Sequence, residues 1–389
     1  MTTISGPLNG VRVIELPNIG PTQFAGMALS DLGAEVLRLD RATSVASGEG
    51  TMPASPYASL DRGRRSAGID LKHPDGIATL LRLCETADVL IEGFRPGVAE
   101  RLGIGPDQCR SRNPRLVYGR MTGWGQDGPL AHDVGHDINY IALAGVLAHI
   151  GTAGGPPVPP INLIGDFGGG GLLLAFGVLA ALVERGISGE GQVVDAAMVD
   201  GSAMLMGLFV GLDAMGFWSD DRGTNLLDGG AHFYGVYETS DEKWISIASY
   251  EPQFYAELLR LLAPLGFDDL DPAGQMDQAA WPGLKVRFAE LFTTRTRDAW
   301  VQFFAGHEVC FAPVLTMSEA RAHPHNVARQ TFVEIDGAPQ AAPAPRFSRT
   351  PGGVQHAPVV PGADTDTALF DWGLSPAEVA ALKQSGAIA

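Results

Sequence analysis

Three segments carry side chains able to move a proton. Gly135–Tyr140 (GHDINY) sets His136 beside Asp137, directly after a glycine. Ile164–Gly171 (IGDFGGGG) sets Asp166 ahead of four glycines and an apolar run. Tyr250–Leu259 (YEPQFYAELL) opens with Glu251 just before Pro252. An imidazole titrates near neutrality and burial can bring a carboxyl closer to it, so this set suits general acid–base work. Each residue also has a plainer use. Asp166 is a natural N-cap, Glu251 is a first-turn acid favoured by the helix dipole, and a lone histidine is commonly structural. The glycines add something a cap does not need: they let a ligand approach the backbone and expose N–H groups near a helix start.

Charge points to the kind of ligand. The chain has 389 residues, 45% of them hydrophobic and 18% charged, with a formal charge of -17. That composition supports a large core and argues against binding a nucleic acid or an anionic membrane, both of which need net positive ground. From Arg38 to Arg120, however, 13 bases face 10 acids, while the remainder holds 14 bases and 34 acids. Arg38, Arg41, Arg62, Arg64, Arg65, Lys72, Arg95 and Arg101 lie in this stretch, several of them at strand ends or in the turns that follow. Guanidinium forks suit phosphate, so the stretch predicts a small anionic ligand. A nicotinamide cofactor is not expected. The first turn offers only Gly20 and Gly26, no G-x-G-x-x-G exists, and Arg41 beside Asp40 fits a phosphate better than a ribose hydroxyl. Cys84, Cys109 and Cys310 match no zinc or disulfide spacing, which predicts buried reduced thiols, no metal and a cytoplasmic protein. Neither MTTISGPLNG nor SGAIA reads as a targeting signal. The longest apolar run, Leu172–Val183, has 12 residues and falls short of the ~20 a span needs, so a buried core helix is expected there.

These residues need elements to hold them. Val11–Leu16 (VRVIEL) reads as a buried strand, Pro21–Leu32 as a helix and Glu35–Asp40 as the next strand. This β-α-β start predicts an α/β fold with a Rossmann-like parallel sheet. The pattern continues with a helix from His73 to Ala87 and strands at Val89–Glu92 and Leu116–Met121, interrupted by a loop at Thr43–Ser59. Past the Asp/Gly-rich stretch Asp220–Gly230 the texture changes to short strands and helices, a smaller α+β unit. The boundaries read as 1–198 for the first part of the large domain, 199–227 for linker helices and 228–316 for the small domain. Residues 317–389 form a return linker and the final part of the large domain. Six prolines between Ala338 and Ala363 predict an extended crossing segment. The tail LSPAEVAALKQSG predicts a helix capped by Ser375 and Glu378 and stopped at Gly386.

In order, the blocks GPLNGVRVIEL, DLGAEVLRLDR, ADVLIEGFRPGVAERLG, MTGWGQDGP, GHDINYIALAG, NLIGDFGGGG, GQVVDAAMVDGS, NLLDGGA, EPQFY and PAPRFSRTP resemble the family III CoA-transferase superfamily. GHDINY together with EPQFY resembles its α-methylacyl-CoA racemase (2-methylacyl-CoA epimerase) branch. The resemblance implies a large domain built from both chain ends, an inserted small domain, and an interlocked homodimer with each active site between the large domain of one subunit and the small domain of the other. It implies an acyl-CoA thioester as substrate, epimerised by proton transfer through an enolate, with no cofactor beyond the substrate's own CoA. His136 and Asp166 become the acid/base pair, Glu251 the partner of His136, and the Asp137 backbone N–H a donor to the developing oxyanion. Arg41, then Ile69, Asp70, Leu71 and Lys72, then Gly93, Phe94 and Arg95, and Arg101 correspond to CoA-binding positions. So do Gly135, His136, Asp137, Ile138, Asn139 and Tyr140.

Inverting a carbon next to a thioester carbonyl needs a base on one face, an acid on the other and a donor for the oxyanion between them. Asp166 is expected to be buried against glycines and apolar side chains. The alternative is a CoA-transferase, in which Asp166 forms an acyl anhydride and His136 and Glu251 have no task. The loop Thr43–Ser59 and the segment with Met198, Met204, Met206 and Met215 are the expected places for acyl-chain choice, although core filling is the commoner use of such methionines.

Overall fold

The computed structural model describes residues 6–48, 55 and 57–389. Six strands form one parallel sheet: β1 (Arg12–Glu15), β2 (Glu35–Arg41), β3 (Arg65–Ile69), β4 (Val89–Glu92), β5 (Val117–Thr122) and β6 (Val193–Ala197). Their order is β3-β2-β1-β4-β5-β6, and every neighbouring pair is parallel. Alternate side chains go to opposite faces. Ile14, Leu37, Leu39, Leu90 and Tyr118 pack on one face with Leu80 and Leu83 of the helix Pro74–Cys84. Val13, Val36, Val89, Ile91 and Val117 pack on the other with Leu29 and Leu174. Each such fully buried aliphatic side chain stabilises the fold by ~1.5–3 kcal/mol.

The chain's last segment returns to this sheet. Leu369, Trp372, Val379 and Ile388 share the core cluster of Ile14 and Leu16. Ile388 bridges to Ile69 at the end of β3, and the Ala389 N–H donates to the Gly68 carbonyl at 3.1 Å. The final helix, Pro376–Ser385, starts as its sequence predicts. Glu378 accepts from the Ser375 N–H at 2.7 Å, and Gly386 ends the helix at φ 79°.

Compact unit 1 comprises Met1–Ala144, Ile161–Leu205 and Ala328–Ala389; unit 2 comprises Gly145–Pro160 and Met206–Val327. These divisions differ from the sequence boundaries in that residues 145–160 join unit 2, which resumes at 206 rather than 228. Within unit 2, β7 (Tyr234–Glu238), β8 (Trp244–Ala248) and β9 (Phe311–Val314) make an antiparallel sheet. Phe233, Tyr255, Phe288, Phe292 and Trp300 fill its core.

Several local expectations change. Part of the Thr43–Ser59 loop is helical (Ala42–Ser47) with a 3-10 turn at Ser59–Asp61, while residues 49–54 and 56 lie outside the described residues. The proline-rich crossing begins with a hairpin of β10 (Phe332–Ile335) and β11 (Ala338–Ala341). Cys84 and Cys109 are buried, but Cys310 is exposed. The helical run Ile161–Ser188 is long and apolar enough to cross a bilayer by length and composition. It is not a fully buried core helix either. Leu174, Ala175 and Val178 pack inward, whereas Phe176 (66% exposed), Val183 (70%) and Ile187 (86%) face outward.

Candidate active site

Sheet order reverses between β1 and β4, and in doubly wound sheets the crevice beyond the carboxyl ends at such a switch point is the natural ligand site. A cavity of about 1160 Å³ opens there in unit 1. Asn18–Pro21 after β1, Gly93–Pro96 after β4 and Met121–Trp124 at the end of β5 supply three of its walls. His136, Asp166, Tyr140 and Met198 supply others. Ile19, Val134 and Leu143 form an exposed apolar margin.

His136 ends an extended segment and immediately precedes the helix Asp137–Leu143. The motif around it fixes its own backbone. The His136 N–H donates to Asn139 Oδ1 at 3.0 Å, and the Tyr140 hydroxyl donates to the Gly135 carbonyl. Trp124 meets Tyr140 edge-on with centroids 4.7 Å apart. A Cβ on Gly123 would lie 2.1 Å from the Tyr140 ring, so only glycine admits that ring. Burial, then the Asp166 charge, push the Tyr140 phenol up, which keeps it a donor. The imidazole is thus presented from a short, rigid turn. Ile138, by contrast, is exposed at 42% and is not among the cavity's lining residues.

Asp166 is not an N-cap. It lies inside a π-helical stretch, Ile164–Leu172, that runs directly into the α-helix Leu173–Ser188. Nor is it enclosed: it is half-buried, Oδ2 accepts from Asn162 Nδ2 at 2.9 Å, and a Cβ on Gly20 would lie 3.7 Å from the same oxygen. Wide π turns often mark functional sites because they re-aim a side chain. The glycines that follow serve packing rather than ligand approach. A Cβ on Gly169 would meet the Ser202 N at 2.7 Å, and one on Gly171 would meet the Pro21 carbonyl oxygen at 2.4 Å. Sequence reading overlooked Asn162, yet its spacing of four from Asp166 on a helical run is a usable signal.

The basic stretch divides in two. Arg38, Arg62, Arg64 and Arg120 are buried and paired with acids of the fold. Arg64 reaches Glu15 at 2.7 Å, Arg62 reaches Asp31, Arg38 reaches Asp40 and Asp61, and Arg120 reaches Glu92 and Glu100. Arg65 pairs with Asp371 at 2.7 Å. In contrast, Arg41, Lys72, Arg95 and Arg101 are exposed and form no ion pair among the described residues. Arg41 ends β2, Lys72 follows β3, and Arg95 and Arg101 follow β4. All four therefore belong to the carboxyl edge of the sheet, and Arg95 lines the cavity.

The remaining predicted positions have mixed placements. Ile69 is buried at the end of β3, and Leu71 packs against the core. Asp70 accepts from the Lys72 N–H at 2.9 Å and so shapes that turn. Gly93 admits Asn18, whose Nδ2 would overlap any Cβ there and instead donates to Thr22 Oγ1 at 2.8 Å. The Phe94 N–H donates to Glu92, a carboxyl raised to about 7 chiefly by burial. Glu251 belongs to unit 2, where it is exposed at the start of the helix Pro252–Leu262.

The chain as a whole has clear relatives among known proteins. The sequence pattern of CoA-transferase family III matches residues 8–367. A mouse protein named alpha-methylacyl-CoA racemase is 45% identical, covering 96% of this chain and 95% of its own length. A human protein of the same name is 41% identical over the same shares, 96% and 95%. Among solved structures, Rv3272 of Mycobacterium tuberculosis superposes with a TM-score of 0.77 at 28% identity, covering 94% of this chain and 99% of that one.

Proposed function

This chain belongs to CoA-transferase family III, and from that premise we propose that it is an isomerase interconverting the (2R) and (2S) epimers of 2-methylacyl-CoA thioesters. One observation carries the reading. A single cavity takes an imidazole, His136, and a carboxylate, Asp166, from two different elements, with the cation Arg95 and an apolar margin beside them. The cation and margin match the two ends of an acyl-CoA, phosphates at one and hydrocarbon at the other.

The chemistry follows from these residue types. The thioester carbonyl oxygen accepts from the Asp137 N–H, the first amide of the helix Asp137–Leu143. One of His136 and Asp166 removes the α-proton, and electron density moves onto the carbonyl oxygen as an enolate. The other group returns a proton to the opposite face, and the C–O double bond re-forms. The reverse reaction exchanges the two roles, and no cofactor enters. Arg41, Lys72, Arg95 and Arg101 hold the CoA phosphates.

The working unit is an interlocked homodimer in which Glu251 of the partner subunit fixes the tautomer of His136. The outward apolar face of Phe176, Val183 and Ile187 supports a second copy as its cover. Lipid is a poorer cover, because the same helical run begins with the polar Asn162 and with Asp166, which lines the cavity. The buried free thiols Cys84 and Cys109 fit a cytoplasmic location.

The test is a single 2-methylacyl-CoA epimer incubated in D2O without an acceptor acid. Deuterium should enter the α-position as the other epimer appears. His136→Ala and Asp166→Asn should each lower turnover by about 100-fold or more while CoA still binds. Acyl exchange seen only after adding a free carboxylic acid would instead assign a transferase acting through an Asp166 anhydride, the reading favoured by that carboxylate's partial exposure.

A further inference from the structure

The helix Asp137–Leu143 and the π-helical stretch Ile164–Leu172 carry the two proton-transfer groups, and one buried side chain links them. Asp137 is 8% exposed, and its Oδ1 accepts from the backbone N–H of Asp166 at 2.7 Å. The neighbouring Gly165 N–H also favours the charged form of this carboxylate. Amides at the start of a helical run have no acceptor within it. Asp137 therefore caps the π-helical stretch from another element, at the peptide of Asp166 itself. Gly165 is shaped for this contact, since a Cβ there would lie 2.5 Å from Asp137 Oδ1. Because Asp137 directly follows His136 in the chain, its carboxylate ties the backbone of one proton-transfer residue to that of the other.

We infer that Asp137 is a positioning residue, its side chain setting the spacing between His136 and Asp166 across the enolate. The inference rests on the epimerase reading and goes beyond the backbone N–H that reading already uses. Burial pushes the Asp137 carboxyl up, with the N–H groups of Asp166 and Gly165 opposing the push. Neither charge state ends the contact, because a neutral carboxyl oxygen still accepts.

A one-ångström error in such a spacing costs about 100-fold in rate. Asp137→Ala should lower kcat by roughly that factor and leave KM unchanged, the split expected when only transition-state alignment is lost. It should also raise the ratio of α-hydrogen washout to inversion in D2O, since a proton removed on one face then finds no aligned donor on the other. Asp137→Asn keeps an acceptor oxygen of the same shape and should recover most of the rate. Gly165→Ala leaves Asp137 in place but crowds its oxygen, so it should reproduce the raised washout ratio even if Asp137→Ala does not fold. Wild-type-like kcat and washout in both Asp137→Ala and Gly165→Ala would overturn the positioning role, as would equal loss in the Ala and Asn variants. A wild-type enzyme that neither epimerises nor exchanges the α-hydrogen would instead overturn the epimerase reading itself.

Discussion

Arg64 and Arg95 come from the same basic stretch and differ in almost every other respect. Arg64 is fully buried and donates to both oxygens of Glu15, to the Gln23 carbonyl and to Asp61. Arg95 is exposed on the cavity wall, with no carboxylate paired to it among the described residues. What separates them is where each residue falls against the sheet. Guanidinium groups within or beneath the strands find acids from neighbouring strands and turns, as Arg38 and Arg120 also do. Cations in the turns after β2, β3 and β4 have left that neighbourhood. A locally basic composition therefore marks two populations, one neutralised inside the fold and one available to an anion.

The first way to break this division is Arg64→Ala. Removing one partner of a fully buried pair strands Glu15, at a cost of about 3–5 kcal/mol. Urea unfolding should show that loss, while the protein that stays folded binds CoA normally. Intact stability with lost CoA binding would put Arg64 in the wrong population. Arg95→Ala should do the reverse. Loss of a hydrogen bond to a charged group costs roughly 1.5–3 kcal/mol of CoA affinity by titration calorimetry. Its unfolding free energy should stay within about 0.5 kcal/mol of wild type. The third test sharpens the buried side of the comparison. Glu92 beside Arg120 is raised to about 7 because burial outweighs the ion pair, against an ordinary value of 4.5. The folded chain then binds a proton that the unfolded chain has released. Glu92 thus favours folding most below pH 4.5, and that contribution disappears as pH climbs through about 7. Unfolding free energies compared at pH 5 and pH 8 should differ by about 2–3 kcal/mol from this residue. Glu92→Gln should flatten that slope. The exposed Glu378 has the opposite sign. Held at about 2 by the Ser375 N–H and hydroxyl and by Arg82, it contributes above its ordinary range and loses that contribution as pH falls through about 2.

The same contrast explains what the sequence can and cannot reveal. The β-α-β start, the buried strands and the Ser375 cap are written in residues one to seven positions apart, so short-range patterns expose them. GHDINY and IGDFGGGG stand out for the same reason, and the fold brings His136 and Asp166 to one cavity. Arg62 shows the limit. Its partners are Asp31 and, far along the chain, Gln340 and the Ala341 carbonyl. Nothing near Arg62 in the sequence announces them. Asp166 misleads in another way: an acid before glycines looks like a cap, and only the crossing of Gly169 against Ser202 reveals why the glycines are there. The clamp by Asp137 was hidden because its acceptor role depends on a backbone 29 residues away.

The return of Ile388 to the edge of β3 carries a consequence for how the molecule is made. Ile14 and Ile388 share one core cluster, yet they leave the ribosome far apart in time. At ~5–20 residues per second, about 20–75 seconds separate their appearance. Unit 2 ends at Val327, so its aromatic core is complete and free to close while the sheet of unit 1 still waits for its last edge contact. The apolar surface of β1 to β3 that Leu369, Trp372 and Ile388 cover therefore stays open until the last segment has been made.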